Sequence, residues 1–206
     1  MGGQYGLVVN PGSTSTKVAV FRGREQVFSE TVPLDKETLA QFSHVMDQKA
    51  LRYGQVLGVL RDKGVSLADL AGIIGIGGWL RPTSGGVFEV NADAYHDLAT
   101  CRYAEHVSNL GGVIARDMAD SIGVKAYVAD PVTTDEITDA ARLSRMPALP
   151  RSGKPHALNQ KRIGASAAAA LCKRYEEAPL IVAHPGWAFS VVAPAVCRTV
   201  ETNSAW

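Results

Sequence analysis

The 206-residue chain has little that would mark a secreted, membrane-spanning or nucleic-acid-binding protein. Its three cysteines, Cys101, Cys172 and Cys197, are scattered without a Cys-x-x-Cys pair. An odd, dispersed set suggests neither a disulfide framework nor a zinc site and reads as reduced thiols. Neither sign of charge dominates, since 21 basic side chains face 20 acidic ones and no basic block occurs. That balance removes the electrostatic footprint of a nucleic-acid or membrane-surface protein, so any bound phosphate must be held locally. No apolar run approaches a membrane span, and residues 1 to 30 lack the basic start and apolar core of a signal peptide. A cytoplasmic location is expected. With 46% apolar residues the chain can still bury a sizeable core.

The richest stretch is Val8-Val9-Asn10-Pro11-Gly12-Ser13-Thr14-Ser15-Thr16-Lys17-Val18-Ala19-Val20-Phe21. Two apolar, strand-like runs flank four consecutive hydroxyl side chains and a lysine. Asn-Pro-Gly is expected to set a tight turn, with proline fixing φ, Gly12 accepting φ > 0 and the following N–H groups free to face an anion. Ser13 and Ser15 would add donors and Lys17 a point charge. The local pattern alone leaves two readings open, a phosphate-holding hairpin or an ordinary polar turn.

Residues 6 to 9, 17 to 21 and 26 to 32 read as successive strands, a β-meander opening. Tyr53, Val56, Leu57 and Leu60 give one apolar face to a helix over about 47 to 62 that stops at Gly64. A buried strand is expected at 72 to 76. The run Gly75-Ile76-Gly77-Gly78 is not a dinucleotide fingerprint, because its third glycine would fall on Leu80 and Arg81-Pro82 follows. Asn91 can cap a brief helix, and a stronger one is expected from about Glu105 to Ile122, closed by Gly123. The strand Lys125 to Ala129 delivers Asp130 at its carboxyl end, where ligand crevices form in open α/β sheets. A proline-rich connection precedes a helix from about Leu158 to Glu176, with Ile163, Ala167, Ala170, Leu171 and Tyr175 expected on its buried face. Residues 180 to 184, 189 to 193 and 196 to 200 read as three closing strands. Hairpins first and crossover helices afterwards predict a mixed α/β domain.

Five motifs occur in order: Asn10 to Lys17, Gly78 to Val87, Glu105-His106-Val107-Ser108-Asn109-Leu110-Gly111, Asp130-Pro131-Val132, and His156-Ala157-Leu158-Asn159-Gln160-Lys161. Together they resemble butyrate kinase, of the acetate kinase group in the actin-like ATPase superfamily, over nearly the whole chain. The resemblance implies a ribonuclease-H-like, actin-like ATPase lobe with crossover helices over 1–179, then a truncated start of a second, largely missing lobe over 180–206. It implies phosphoryl transfer between ATP and a short-chain, butyrate-like carboxylate, with Mg²⁺, giving an acyl phosphate or running in reverse. A carboxylate is already ionised at neutral pH and needs no general base; the demand is to offset repulsion between two anions. Carried over, Asn10, Lys17, His156 and Asp130 are the catalytic candidates, with Asn10 and Asp130 toward the metal. Gly12, Ser13, Ser15, Lys17, His184 and Gly186 are phosphate-binding candidates, and His106, Asn109 and Arg81 line the acyl side. Read singly, His106 and His156 are ordinary residues near helix starts, and Asp130 an ordinary cap before proline.

The sequence departs from the family pattern at four places. Ile76 stands where the resemblance expects an arginine facing the substrate carboxylate or transferring phosphoryl, so a cation becomes an alkyl group. Pro185-Gly186-Trp187-Ala188 replaces a glycine run that would let backbone N–H groups approach nucleotide phosphates. Pro194-Ala195 replaces a His-Arg pair, and the sequence stops near the expected start of the second lobe. Two expectations follow: an impaired or inactive butyrate kinase-like phosphotransferase, or a non-catalytic phosphate- or acyl-binding remnant. The second would need a partner, a second copy or a complementing chain, to complete the site.

Overall fold

The computed structural model describes residues 4–144, 146, 148–153, 156–185, 189–195 and 198–205. These divide into two compact units, Met1–Leu80 with Val87–Ala129, and Arg81–Gly86 with Asp130–Trp206. Both are packing units, and the lobe boundary expected near 180 falls inside the second.

The first unit opens with β1 (Tyr5–Pro11), β2 (Ser15–Arg22) and β3 (Glu25–Pro33), an antiparallel meander. Gly23, at φ 59°, makes the second turn, and a short α1 (Lys36–Leu39) is capped by Asp35. The first turn differs from expectation. Asn10 and Pro11 still pair in the strand, opposite Lys17 and Thr16, so the reversal is made by Gly12, Ser13 and Thr14. Gly12 does not take positive φ; its N–H instead closes the turn on the Ser15 carbonyl at 2.8 Å.

After a 3₁₀ turn at Val45–Gln48, α2 (Lys49–Asp62) buries Arg52, Val56 and Leu60. The parallel strands β4 (Leu70–Ile76) and β6 (Lys125–Ala129) extend the sheet beside β1, and β5 (Val87–Glu89) adds an antiparallel edge. The order is β3-β2-β1-β4-β6-β5. Between β5 and β6 run α3 (Ala92–Ala99), capped by Asn91, and α4 (Asn109–Ile122), closed by Gly123 at φ 72°. Helix α4 starts four residues later than the sequence pattern predicts. The side chains of His106 and Ser108 bond to backbone and to each other before it begins, which competes with helical pairing. Leu110, Val113, Ile114 and Met118 of α4 bury against Leu7, Val9, Ile73 and Val128 of the sheet. At α4's start the contact is backbone on backbone. A Cβ on Gly75 would overlap the Gly111 backbone, and one on Gly111 would sit 2.7 Å from the Ile76 carbonyl oxygen.

The second unit holds α5 (Asp139–Arg142), α6 (Ala157–Ala170) and the antiparallel strands β7 (Val182–His184), β8 (Phe189–Ala195) and β9 (Arg198–Ala205), in hairpin order. Helix α6 is shorter than the alanine-rich pattern predicts. It stops at Ala170, because Cys172 turns left-handed at φ 54° and the Lys173 N–H folds back to the Ala168 carbonyl. Its buried side also differs from expectation. Ala157, Gln160, Gly164 and Ala168 face inward, whereas Ile163 and Leu171 are exposed. Gly164 decides this rotation, since a Cβ there would meet the Tyr175 ring at 2.6 Å. Ile181, expected in a buried strand, precedes β7 and is exposed.

Candidate functional site

The first unit builds one group of candidates on the β1–β2 hairpin. Asn10 and Lys17 are directly opposite across the antiparallel pair, so their side chains leave the same sheet face, and both are exposed. Ser15 lies two residues from Lys17 and shares that face. Ser13 is exposed at the tip and Gly12 is half-buried. Behind them, on the buried face, Thr16 donates its hydroxyl to Gln55 Oε1 at 3.0 Å and accepts from Arg52 Nη1 at 3.0 Å. The same Nη1 donates to the Ser15 carbonyl at 3.0 Å. Arg52 Nε and Nη2 both reach Gln48 Oε1, at 3.0 and 2.9 Å. The guanidinium is fully buried, and burial pushes it down to about 10, still protonated at neutral pH.

A second group gathers where β4 leads toward α4. Gly77 and Gly78, at φ 88° and 104°, carry the chain past Ser108, whose Cβ would lie 2.6 Å from a Cβ on Gly77. Ser108 Oγ accepts from Gly78 N at 3.1 Å and lies 2.8 Å from His106 Nδ1, which also accepts from Ser108 N at 3.2 Å. That pattern assigns Nδ1 as the acceptor and puts the imidazole proton on Nε2. Burial lowers the pKa of His106, so the neutral ring is favoured. Asn109 is fully buried; its Oδ1 accepts from Trp79 N and its Nδ2 donates to the Ala104 carbonyl, both at 2.8 Å. It braces the loop that carries His106. Ile76, at the end of β4, is half-buried opposite Ala129.

The second unit positions the remaining candidates. Asp130 leaves β6 in the left-handed region at φ 38°, tied to Gly86 by two hydrogen bonds. Its Oδ1 accepts from Gly86 N at 2.9 Å and from Lys161 Nζ at 2.8 Å. Glu136 Oε1 accepts from Gly85 N at 3.0 Å and from the same ammonium at 2.9 Å. Arg81 is exposed. His156, just before α6, stacks on His184 with ring centroids 3.9 Å apart and planes 18° from parallel. Its Nδ1 lies 2.8 Å from Ser190 Oγ, which Gln160 Nε2 also reaches at 3.0 Å. Desolvation first, and the neighbouring His184 second, lower the pKa of His156. Gly186 and Trp187 lie outside the described residues, and Pro185 is exposed.

The chain is 39% identical to a probable butyrate kinase of Clostridium botulinum and 40% identical to butyrate kinase 2 of Clostridium acetobutylicum, over 199 residues each. The chain is a relative of the butyrate kinases. Each match covers 97% of this chain and 56% of the relative, so the chain spans about half the length of the butyrate kinases it matches. No family model matches the chain. Among solved structures, a propionate kinase from Francisella tularensis superposes with a TM-score of 0.68 at 15% identity, covering 99% of this chain and 57% of that one. Acetate kinase from Porphyromonas gingivalis gives a TM-score of 0.66 at 15% identity, covering 97% and 57%. These likenesses show the fold, a mixed α/β architecture shared with those two kinases. No helix among the described residues is long and apolar enough to cross a membrane.

In this sequence the hairpin and the His106 segment were legible as motifs, but their supports were not. Ser108 and Lys161 stand inside quoted motifs without a role assigned to them, and Arg52, Gln48, Glu136 and Ser190 drew no attention as supports. Arg52 sits four residues before Val56 on the apolar stripe, and that misplaced charge was the available signal.

Proposed function

We propose that this chain supplies the phosphate- and acyl-holding lobe of a butyrate kinase-type phosphotransferase, working on ATP and a short-chain carboxylate. The observation that carries the reading is the hairpin, where Asn10, Ser15 and Lys17 share an exposed face at the carboxyl end of β1. Lys17 and the hydroxyl donors of Ser13 and Ser15 suit a transferring phosphoryl group, whose negative charge spreads over its oxygens. His106, neutral and protonated at Nε2, would donate to the acyl carboxylate. Asn109 would hold the His106 loop rather than touch substrate. His156, whose pKa is lowered by burial and by the neighbouring His184, would be the second unit's own phosphoryl contact, with His184 stacked on it.

Mg²⁺ fits only loosely. The described residues hold no cluster of three His, Cys, Asp or Glu side chains arranged as a metal cage. Magnesium in phosphoryl transfer takes one or two carboxylates plus substrate phosphates and water, so a single carboxylate such as Asp130 would be a sufficient protein contribution. Asp130 Oδ1 already accepts from Lys161 and Gly86, and its carboxylate would be the group that helps hold the ion. The ion would neutralise charge between the two anions.

Turnover by the isolated chain is not expected. Ile76 offers no cation where the resemblance expects arginine, and about half of each butyrate kinase has no counterpart in these 206 residues. A second reading, a phosphate- or acyl-binding protein completed by another chain, is favoured by the same two observations. A coupled assay with ATP, Mg²⁺ and butyrate, paired with solution mass, tests both. We expect no acyl phosphate from the chain alone. Turnover that disappears in Lys17→Ala would overturn the inactivity, and activity restored only by an added chain would select the second reading.

A further inference from the structure

A guanidinium buried without a carboxylate needs an explanation. Arg52 is 0% exposed, yet all four of its hydrogen bonds end on neutral oxygens: Gln48 Oε1 twice, the Ser15 carbonyl and the Thr16 hydroxyl. Among the described residues no ion pair includes it. The carboxylate that reaches α2 from α4, Asp117, pairs with Lys49 at 3.0 Å instead. Buried charges are ordinarily paired, because desolvation of a lone ion is not repaid by neutral partners. The hydrogen bonds also have an address. The Ser15 carbonyl takes both Arg52 Nη1 and the Gly12 N–H, the bond that closes the hairpin turn. The cation is thus fixed one hydrogen bond behind the turn whose outer face carries Ser13, Ser15 and Lys17.

We infer that Arg52 is a positioning residue for anion binding, a fixed positive charge behind the β1–β2 turn that is compensated when a phosphate group binds on the turn's outer face. The inference rests on the phosphate-holding reading of this hairpin. Arg52 touches no ligand; it shapes the turn through Ser15 and Thr16 and adds its field to that of Lys17. In a partly desolvated setting such a field acts more strongly than a solvated lysine does. The missing carboxylate then makes sense, since an internal partner would cancel the field offered to the ligand.

The test is isothermal titration of the full chain with inorganic pyrophosphate at low and raised salt, alongside urea unfolding of each variant. Lys17→Ala should weaken pyrophosphate and thereby establish the hairpin as the site. Arg52→Lys, which keeps the charge but not the bond pattern, should stay within about threefold of the parent. Arg52→Met should lose about tenfold, equivalent to about 1.4 kcal/mol. A variant that leaves Arg52 in place gives an independent readout. Gln48→Glu supplies the missing carboxylate, so it should raise the urea midpoint while weakening pyrophosphate several-fold. A purely structural strut predicts the reverse pattern: Arg52→Lys as damaging as Arg52→Met, and Gln48→Glu binding at least as well as the parent. Either result overturns the inference while Lys17→Ala still supports the phosphate reading. If the parent does not bind pyrophosphate, or Lys17→Ala binds equally well, the phosphate reading fails and the inference falls with it.

Discussion

Two cations withdrawn from solvent are handled in opposite ways in the two units. In the second, Lys161 holds Asp130 and Glu136 together, and Gly85 and Gly86 add N–H donors to the same carboxylates. In the first, Arg52 is more deeply buried and has only neutral acceptors. In the Lys161 cluster the cation is more than matched, with two carboxylates on one ammonium, and the group acts as a clasp on the Arg81–Gly86 segment. Both carboxylates raise the pKa of Lys161 against the opposing effect of desolvation. Nothing comparable offsets burial at Arg52. One cation is paired with carboxylates and the other is not, and on the inference above that is the difference between a structural ion network and a charge left for an incoming anion.

The contrast can be broken most decisively at Lys161. Lys161→Met leaves two partly buried carboxylates facing each other, and the loss should be about 2 kcal/mol in urea unfolding, reduced from fully buried pairs by partial exposure. An unchanged midpoint would mean that the cluster is no clasp. Gly85→Ala attacks the same cluster from the backbone side, because its new methyl would overlap Glu136 Oε1 and Lys161 Nζ. The long side chain can shift, so about 1 to 2 kcal/mol is expected on the same measurement. Arg52→Met should cost only about 1 kcal/mol, although the residue is larger and more buried. Ser15's carbonyl keeps Gly12 N–H, Thr16 keeps Gln55, and half-buried Gln48 can meet water. Relief of desolvation offsets the rest. A loss exceeding that of Lys161→Met would invert the comparison.

The smallest effect is in pH. The native pKa values of His106 and His156 lie below the ordinary imidazole value, so the unfolded chain takes up protons first as the solution is acidified. Their contribution to stability is therefore fully present above about pH 6.5 and is lost as pH falls through the lowered native values. The urea midpoint should decline shallowly over that window, and His156→Gln should flatten part of the slope. A midpoint that rises on acidification would contradict the neutral-ring assignment.

The sheet was largely readable from sequence because alternation and turn residues act locally. Gly23, Gly64 and Gly123 all fall where the pattern put chain reversals or helix ends, each at positive φ. What escaped detection depends on the third dimension. Gly164 rotated α6 away from its apparent apolar face by admitting the Tyr175 ring, a contact invisible to a helical periodicity. The start of α4 was misplaced because His106 and Ser108 spend their side chains on local bonds that a propensity scale does not count. At the site, the outer residues announced themselves as a motif. Several of their supports are 30 or more positions distant, as with Ser15 and Arg52 or Asp130 and Lys161, and no local spacing rule links such pairs.

The glycine contact between β4 and α4 has a mechanical consequence. Gly75 and Gly111 meet with no side chain between them, so the joint contains nothing that can change rotamer, compress or slide. The end of β4 and the first turn of α4 must therefore move as one piece. Since β1 runs parallel beside β4, the hairpin that follows it is mounted on a stiff chassis rather than on a loop free to follow a ligand.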